Sequence, residues 1–325
     1  MVGKLIGIDL GGTSVKFAIL TFDGDILHKW SIETNTMNDG ESIVPNIIES
    51  INDNLTVHNL AISDILGIGM GSPGAVNFEN GTVIGAYNLG WKTLIRVKDQ
   101  IEAAMGIPFF LDNDANVAAL GELWKGAGEG DDNVVFMTLG TGIGGGVIVE
   151  GNLVHGAAAA GELGHIIVDP DGCECTCGNR GCLETVASAT GIVRLSMDIA
   201  KQFNGESSLK KVIDEGQKVT AKLVFDLANE QDALALLIID KFSHYLGLAC
   251  ANITNILNTN SIVIGGGVSA AGEVLLKDVE KYFLKFTFPP LRQTTKLKLA
   301  QLGNDAGVIG AAWLVREKAS VISRL

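Results

Sequence analysis

The sequence predicts an α/β protein built from two related halves. Apolar runs of strand length alternate along the chain with longer segments of helical spacing, and this alternation is typical of α/β proteins. An apolar run, a glycine-rich turn and a second apolar run open the chain around Gly12, and the arrangement returns around Gly142. A chain of 325 residues usually forms one large domain or two. We therefore expect two α/β halves, each opening with a β-hairpin.

The first half begins with that hairpin and continues as alternating elements. Isoleucines at helical spacing predict a helix over 42–54. The apolar run at 66–70 is typical of a buried strand, and the turn 71–74 follows it. The remaining elements are predicted in the order helix 97–105, strand 107–111 and helix 112–124.

The second half repeats the opening pattern and then becomes mostly helical. Apolar runs at 134–139 and 147–149 flank the glycines 140–146, and 156–182 is rich in loop residues and cysteines. The helical pattern fills most of 185–257. The closing elements are predicted as strand 261–264, glycine turn 265–267, helix 272–283, strand 297–302 and helix 307–321.

Composition argues against several classes of protein. The net charge of −13 disfavours a basic face for nucleic acid. The N-terminus lacks the layout of a signal peptide, and apolar runs such as 233–239 fall short of the ~20 residues that cross a bilayer. We therefore expect a cytoplasmic protein with no nucleic-acid or membrane partner.

Three glycine turns follow apolar strands and suit nucleotide phosphates. The sequence has no G-x-x-x-x-G-K-[ST] motif, and although 140–145 match G-x-G-x-x-G, a strand pattern follows instead of the helix that a dinucleotide fingerprint opens. Glycine lets backbone N–H groups approach phosphates closely. Each turn taken alone also fits a simple tight turn, but three together favour a site. The predicted nucleotide-binding residues are Asp9, Gly11, Gly12, Thr13, Lys16, Gly140, Thr141, Gly142, Gly265, Gly266 and Gly267.

Polar side chains crowd the start of the helix predicted over 112–124. Asp and Asn are favoured helix N-caps, so a capping role explains part of the cluster. One cap does not need Asp112, Asn113, Asp114 and Asn116 together, which leaves groups for a ligand. At the first hairpin, Asp9 supplies a carboxylate suited to Mg²⁺ through water, and Lys16 supplies a nearby cation.

The cysteines indicate a metal site. Four of the five cysteines lie between Cys173 and Cys182. In a reducing compartment such a cluster is typical of metal binding and not of a disulfide framework. Cys250 lies in an apolar helical stretch and is expected in the core.

Six motifs lie along the chain at 9–16, 71–74, 111–116, 138–146, 161–165 and 175–185. In this order they resemble the motifs of the ROK sugar kinases, a family of the actin–hexokinase–Hsp70 superfamily. The resemblance covers essentially the whole chain and is greatest to the glucose-phosphorylating members from Gram-positive bacteria. ROK repressors carry an N-terminal helix-turn-helix, and a phosphate motif that begins by residue 9 argues for the kinase branch.

The resemblance implies a fold and an assembly. It implies two actin-like (ribonuclease H-like) α/β domains flanking a deep cleft in which sugar and ATP meet. We expect the small domain to hold 1–112 plus 309–325 and the large domain, with a zinc loop, to hold 113–308. The family also suggests a homodimer or homotetramer.

The resemblance further implies site residues and a reaction. Asp114 is the implied general base for transfer of the γ-phosphoryl group of Mg²⁺-ATP to the 6-hydroxyl of glucose. Cys173 fits the metal spacing least and is left out as a spare thiol. The implied sugar-binding residues are Asn113, Asp114, Glu162, His165 and Glu184, and the implied ligands of a structural Zn²⁺ are His165, Cys175, Cys177 and Cys182.

Other functions stay open at this point. The substrate of a ROK kinase can instead be N-acetylglucosamine, N-acetylmannosamine, mannose or fructose, and the donor can be polyphosphate. A sugar sensor without catalysis is an alternative from a different class. Asp114 and both phosphate turns argue against it. A nicotinamide-dependent dehydrogenase is the most distant alternative.

Overall fold

The computed structural model describes residues 3–157 and 159–322, and it divides into two compact units. The first unit contains Met1–Gly130, Leu153–Ala160 and Leu302–Leu325, and the second contains Asp131–Asn152 and Gly161–Gln301. Strands and helices alternate in both, which confirms the α/β class. The domain limits expected at 112 and 309 differ from these bounds, and residues 323–325 of the expected small domain lie outside the described residues.

The elements of each unit follow the chain. The elements up to residue 125 are β1 (Lys4–Leu10), β2 (Ser14–Leu20), β3 (Ile26–Glu33), α1 (Ile43–Val57), β4 (Ile65–Ser72), β5 (Ala75–Asn77), β6 (Thr82–Ile84), β7 (Ile95–Arg96), α2 (Val97–Met105), β8 (Phe109–Asn113) and α3 (Asp114–Lys125). The elements that follow are β9 (Val134–Leu139), β10 (Ile143–Val149), β11 (Asn152–Leu153), α4 (Glu184–Ala187), α5 (Ala189–Ala200), α6 (Ser208–Asp214), α7 (Ala221–Asn229), α8 (Ala233–Leu257), β12 (Ser261–Gly265), α9 (Glu273–Phe286), β13 (Lys296–Leu299) and α10 (Ala306–Ile322).

The sheet of the first unit lies between two helical layers. Its strand order is β3-β2-β1-β4-β8, with β1 antiparallel to β2 and parallel to β4. Because side chains alternate along a strand, Ile6 and Ile8 of β1 face the core formed with α1 and α2. Leu5 faces the opposite core, where Val308 and Ala312 of α10 pack. Helix α3 packs on α10, which explains why it belongs to the first unit.

The sheet of the second unit repeats this order. Its strands run β11-β10-β9-β12-β13, with an antiparallel hairpin, β9 and β10, followed by the parallel strands β12 and β13. The matching order confirms the repeat predicted from the two glycine turns. Strand β10 begins at Ile143, earlier than predicted, because the glycines after it pair with β9.

Helix α8 is the long helix of the second unit. It packs against α9, α7 and α5. By length and composition alone Ala233–Leu257 could cross a membrane, but 61% of its most apolar window is buried inside the protein. It is therefore a core helix.

Candidate functional site

The first glycine turn joins β1 to β2. The N–H of Gly11 donates to the carbonyl of Ser14 at 3.0 Å, which closes the turn. Thr34 holds it from the side, since its hydroxyl donates to the carbonyl of Gly11 at 2.7 Å and its N–H donates to that of Thr13 at 3.0 Å. The conformation of the turn is thus held by backbone and hydroxyl contacts within the protein.

Asp9 and Lys16 lie opposite each other at the base of this turn. They are register partners of β1 and β2, and Lys16 Nζ lies 3.3 Å from Asp9 Oδ2. Both side chains are partly exposed. The pair places a carboxylate and an ammonium group beside the turn, as the sequence predicted, so this end of the sheet can hold a cation and an anion.

Asn113 and Asp114 share the start of α3. Asn113 is the N-cap, and its side-chain oxygen accepts the N–H of Ala115 at 2.9 Å. Asp114 is the first helical residue, and its Oδ1 accepts the same N–H at 2.8 Å. The capping explanation therefore accounts for Asn113, while Asp114 binds the same N–H from the first position of the helix.

The environment of Asp114 favours its protonated form. Burial raises the pKa of this carboxyl above its usual value, and the nearby negative charge of Asp9 raises it further. The N–H of Ala115 acts in the opposite direction but does not outweigh burial. A carboxylate that is destabilised in this way is a better proton acceptor.

Asp112 lies behind these residues and is 3% exposed. Its Oδ1 accepts the N–H of Asn113 and the side-chain amide of Asn116, each at 2.8 Å. Its Oδ2 lies 2.6 Å from Nε2 of His155. Sequence reasoning missed His155, because nothing in its local spacing marks it.

The second glycine turn, between β9 and β10, is held by the segment that follows the cysteines. The N–H of Ile143 donates to Glu184 Oε2 at 2.9 Å, and a Cβ at Gly142 would lie 2.2 Å from that oxygen. The N–H of Ala189 donates to the carbonyl of Gly140 at 2.8 Å, and the hydroxyl of Thr190 donates to that of Thr141 at 2.7 Å. The turn is therefore hydrogen-bonded to the start of α4 and to the start of α5.

The third glycine turn follows β12. Gly266 has a φ of +83° and its Cα lies so close to β9 that an added Cβ would be 2.6 Å from Leu139 N. Its glycine requirement is thus explained by packing. At Gly267 a Cβ would meet nothing within 4 Å, so the backbone here is open to a ligand.

Four side chains form a candidate metal centre. The ligand atoms of His165, Cys175, Cys177 and Cys182 lie within 4.8 Å of one another. Cys177 and Cys182 Sγ are 3.7 Å apart, and Cys175 Sγ lies 3.7 Å from His165 Nδ1. Tetrahedral zinc with Zn–S bonds of about 2.3 Å and Zn–N bonds of about 2.0–2.1 Å gives separations of about 3.5–3.8 Å. The donor set therefore fits a structural zinc.

Two of the predicted sugar-binding residues, His165 and Glu162, lie in this centre or beside it. Nδ1 of His165 faces the thiols, while its Nε2 lies 3.9 Å from Glu162 Oε2. Glu162 is exposed, with 65% of its side chain accessible. Among the described residues, Cys173 is not part of the metal-binding group.

The predicted residues are thus distributed over the two units. Asp9, Lys16, Asn113 and Asp114 are brought together in the first unit. The second unit brings its glycine turn to Glu184 and joins His165 to the cysteines.

Comparison with known proteins gives a consistent result along the whole chain. The sequence model of the ROK family matches residues 5–318. A glucokinase from Halalkalibacterium halodurans is 46% identical over 96% of this chain and 95% of its own length. A glucokinase from Thermotoga maritima is 39% identical over 97% of this chain and 98% of its own.

A solved structure agrees with these relatives. A ROK family glucokinase from Streptomyces griseus, in complex with glucose and AMPPNP, superposes with a TM-score of 0.75. It is 31% identical, and the match covers 97% of this chain and 100% of that one.

Proposed function

The chain belongs to the ROK family, with its actin-like α/β fold, and we propose that it transfers the γ-phosphoryl group of ATP to the 6-hydroxyl of glucose. The observation that carries this proposal is the carboxyl of Asp114, which lies at the start of α3 near Asp9 and has a raised pKa. Similarity to two glucokinases over nearly the whole chain supports glucose as the substrate.

Asp114 acts as the general base in this mechanism. Its carboxylate accepts the proton of the 6-hydroxyl as that oxygen attacks the γ-phosphorus and the bond to the β-phosphate oxygen breaks, releasing ADP. Asn113 fixes the start of α3 and donates to a sugar hydroxyl through its amide. Most of the catalytic effect then comes from positioning and from charge stabilisation at the phosphate.

The glycine turns hold the nucleotide. The turn at Gly12 in the first unit and the turn at Gly142 in the second each offer backbone N–H groups suited to phosphates, and Lys16 offers a cation beside the first turn. Mg²⁺, when bound, neutralises phosphate charge, and Asp9 is the carboxylate that would hold it through water. The open backbone at Gly267 suits the flat adenine ring.

The second unit supplies acceptors for sugar hydroxyls. Glu184 gives one oxygen to the N–H of Ile143 and keeps the other for a hydroxyl. Glu162 is exposed and lies next to Nε2 of His165. Such charged acceptors make the strong hydrogen bonds that select a bare hexose.

We also propose that zinc holds the loop that carries these acceptors. His165, Cys175, Cys177 and Cys182 would be its ligands, with no open position for catalysis. The metal would orient His165, so that Nδ1 binds zinc and Nε2 is free for the sugar. The loop then fixes Glu184 shortly after the last cysteine.

Assembly and location complete the proposal. The family resemblance suggests a homodimer or homotetramer, which light scattering coupled to gel filtration would measure. We also propose a cytoplasmic location, since the N-terminus lacks the layout of a signal peptide.

A panel of sugars tests the proposed function. ADP release is measured with Mg²⁺-ATP and glucose, mannose, fructose, N-acetylglucosamine or N-acetylmannosamine at equal concentrations. We expect glucose to give the highest kcat/KM. Higher activity with an N-acetyl sugar would change the proposed substrate but not the proposed reaction. Activity with polyphosphate in place of ATP would change the proposed donor. No activity with any sugar would support a sensor.

A further inference from the structure

The contact between His155 and Asp112 is not used by the proposed mechanism. His155 lies in Leu153–Ala160, which belongs to the first unit. Its Nε2 is 2.6 Å from Asp112 Oδ2, and its side chain is 24% exposed against 5% for Asp112. The imidazole also stacks on Phe78, with ring centroids 3.8 Å apart and planes 20° apart. The ring is thus held both at its face and at its edge.

Asp112 connects His155 to the start of α3 through hydrogen bonds. A buried carboxylate must be hydrogen-bonded, and Asp112 is bonded by the Asn113 N–H, the Asn116 amide and His155. Because a carboxylate only accepts, Nε2 of His155 is the protonated nitrogen in this contact. Loss of His155 would leave Oδ2 of Asp112 without that donor, and the carboxylate would turn to find another.

The orientation of Asp112 determines that of the proposed base. The Asp112 Oδ1 fixes the N–H of Asn113, whose own side chain accepts the N–H of Ala115. That same N–H donates to Asp114 Oδ1. A change at Asp112 is therefore transmitted to Asp114 through three hydrogen bonds, all within residues 112–115.

We propose that His155 is a positioning residue for phosphoryl transfer, which holds Asn113 and Asp114 in their working orientation through Asp112. This inference rests on the proposed function. His155 itself is not a catalytic residue, since its contact is with Asp112 and not with the reacting groups. Small misplacements of a catalytic group lower turnover strongly, so a loss of about 10- to 100-fold in kcat is expected when the donor is removed.

A matched pair of variants separates positioning from packing. His155→Gln keeps an N–H donor for Asp112 but loses the ring that stacks on Phe78. His155→Phe keeps the stacking ring but loses the donor. If the hydrogen bond is what counts, His155→Gln retains kcat within about 3-fold and His155→Phe loses about 10- to 100-fold, with KM for ATP changing less than about 2-fold in both. If the residue only packs its segment, the order of the two variants is reversed.

Chemical rescue provides a second measurement that does not depend on either variant folding ideally. His155→Ala opens a space between Phe78 and Asp112 that imidazole fits. We expect added imidazole to raise the kcat of His155→Ala severalfold, while it leaves wild-type protein and Asp114→Asn unchanged. Absence of rescue, together with wild-type kcat in His155→Phe, would overturn the inference.

Wild-type protein assayed in parallel keeps the two proposals distinct. A wild type that phosphorylates no sugar refutes the proposed function. An active wild type whose His155→Phe variant is equally active refutes only the role of His155. Melting temperature and zinc content of each variant are measured alongside, and we expect zinc content to stay unchanged because the metal ligands lie in the second unit.

Discussion

Replacing Asp114 by Asn removes the proposed base and changes little else at the start of α3. The Asn side chain has nearly the same shape, and its oxygen can still accept the N–H of Ala115, which now bonds Asp114 Oδ1 at 2.8 Å. It cannot take up a proton. General-base catalysis contributes typically 10²–10⁴-fold, so we expect kcat to fall by at least about 10²-fold. Glucose affinity should fall much less, because the Asn side chain keeps the shape of Asp and one of its two acceptor oxygens.

The same substitution should not destabilise the protein at neutral pH. The raised pKa of Asp114 means that folding favours its protonated form, so ionisation of this carboxyl lowers the free energy of unfolding as pH rises through the folded pKa. Asn removes that cost. It also removes a favourable charge at a helix N-terminus, worth about 0.3–1 kcal/mol, but the raised pKa shows that burial outweighs this contact. We therefore expect Asp114→Asn to be at least as stable as wild type at pH 7, and the two to converge at acidic pH, where Asp114 is protonated.

Urea unfolding at several pH values, with steady-state kinetics on the same preparations, measures both quantities. The expected result is a large loss of kcat with an unchanged or higher free energy of unfolding. The wild-type kcat should also fall as the pH is lowered, with an apparent pKa above that of an ordinary aspartate. If Asp114→Asn keeps wild-type turnover, Asp114 is not the base. If it loses stability and activity together at pH 7, the residue is mainly structural.

Three further predictions concern the metal, the sugar and the second turn. Cys177→Ser should lower zinc content, melting temperature and activity together, whereas Cys173→Ser should keep one zinc per chain by elemental analysis; the reverse pattern would contradict the ligand assignment. Glucose should be preferred over N-acetylglucosamine in direct competition, because an N-acetyl group leaves hydroxyl-directed groups unmatched at about 1–3 kcal/mol each; faster phosphorylation of the N-acetyl sugar would contradict this. Glu184→Gln should raise KM for glucose about tenfold or more, since a neutral amide is the weaker acceptor, while its oxygen keeps the Ile143 N–H and leaves KM for ATP unchanged. Glu184→Ala, the matched control, should raise the KM for glucose and the KM for ATP. Equal effects of the two variants would show that the Glu184 contact with Ile143 does not hold the turn for ATP.

Local sequence patterns predicted the elements that carry a strong apolar period. Helix α2 was expected at 97–105 and occurs at Val97–Met105, and β9 likewise matches its expected bounds. Strand β3 was missed, because its residues alternate between half-buried and exposed, with His28 and Lys29 among them, as on the edge of a sheet. The short strands β5, β6 and β7 are too brief to give a periodic signal.

The candidate site shows the same limit between local and long-range information. The glycine turns and the cysteine cluster are marked by spacing within a few residues, so the sequence indicates them. The contact of His155 with Asp112 joins residues 43 positions apart, and the Glu184 contact with Ile143 joins residues 41 apart. Neither pairing is encoded in local spacing, since each depends on how distant segments of the chain come together in the fold.

The identity of the product tests the central claim most directly. Purified protein is incubated with glucose and Mg²⁺-ATP, and the products are followed by ³¹P NMR together with a coupled assay specific for glucose 6-phosphate. The account predicts one glucose 6-phosphate for each ADP formed with wild-type protein, and a rate lower by at least about 10²-fold with Asp114→Asn. ADP release without glucose 6-phosphate, or an equal rate from Asp114→Asn, would contradict it.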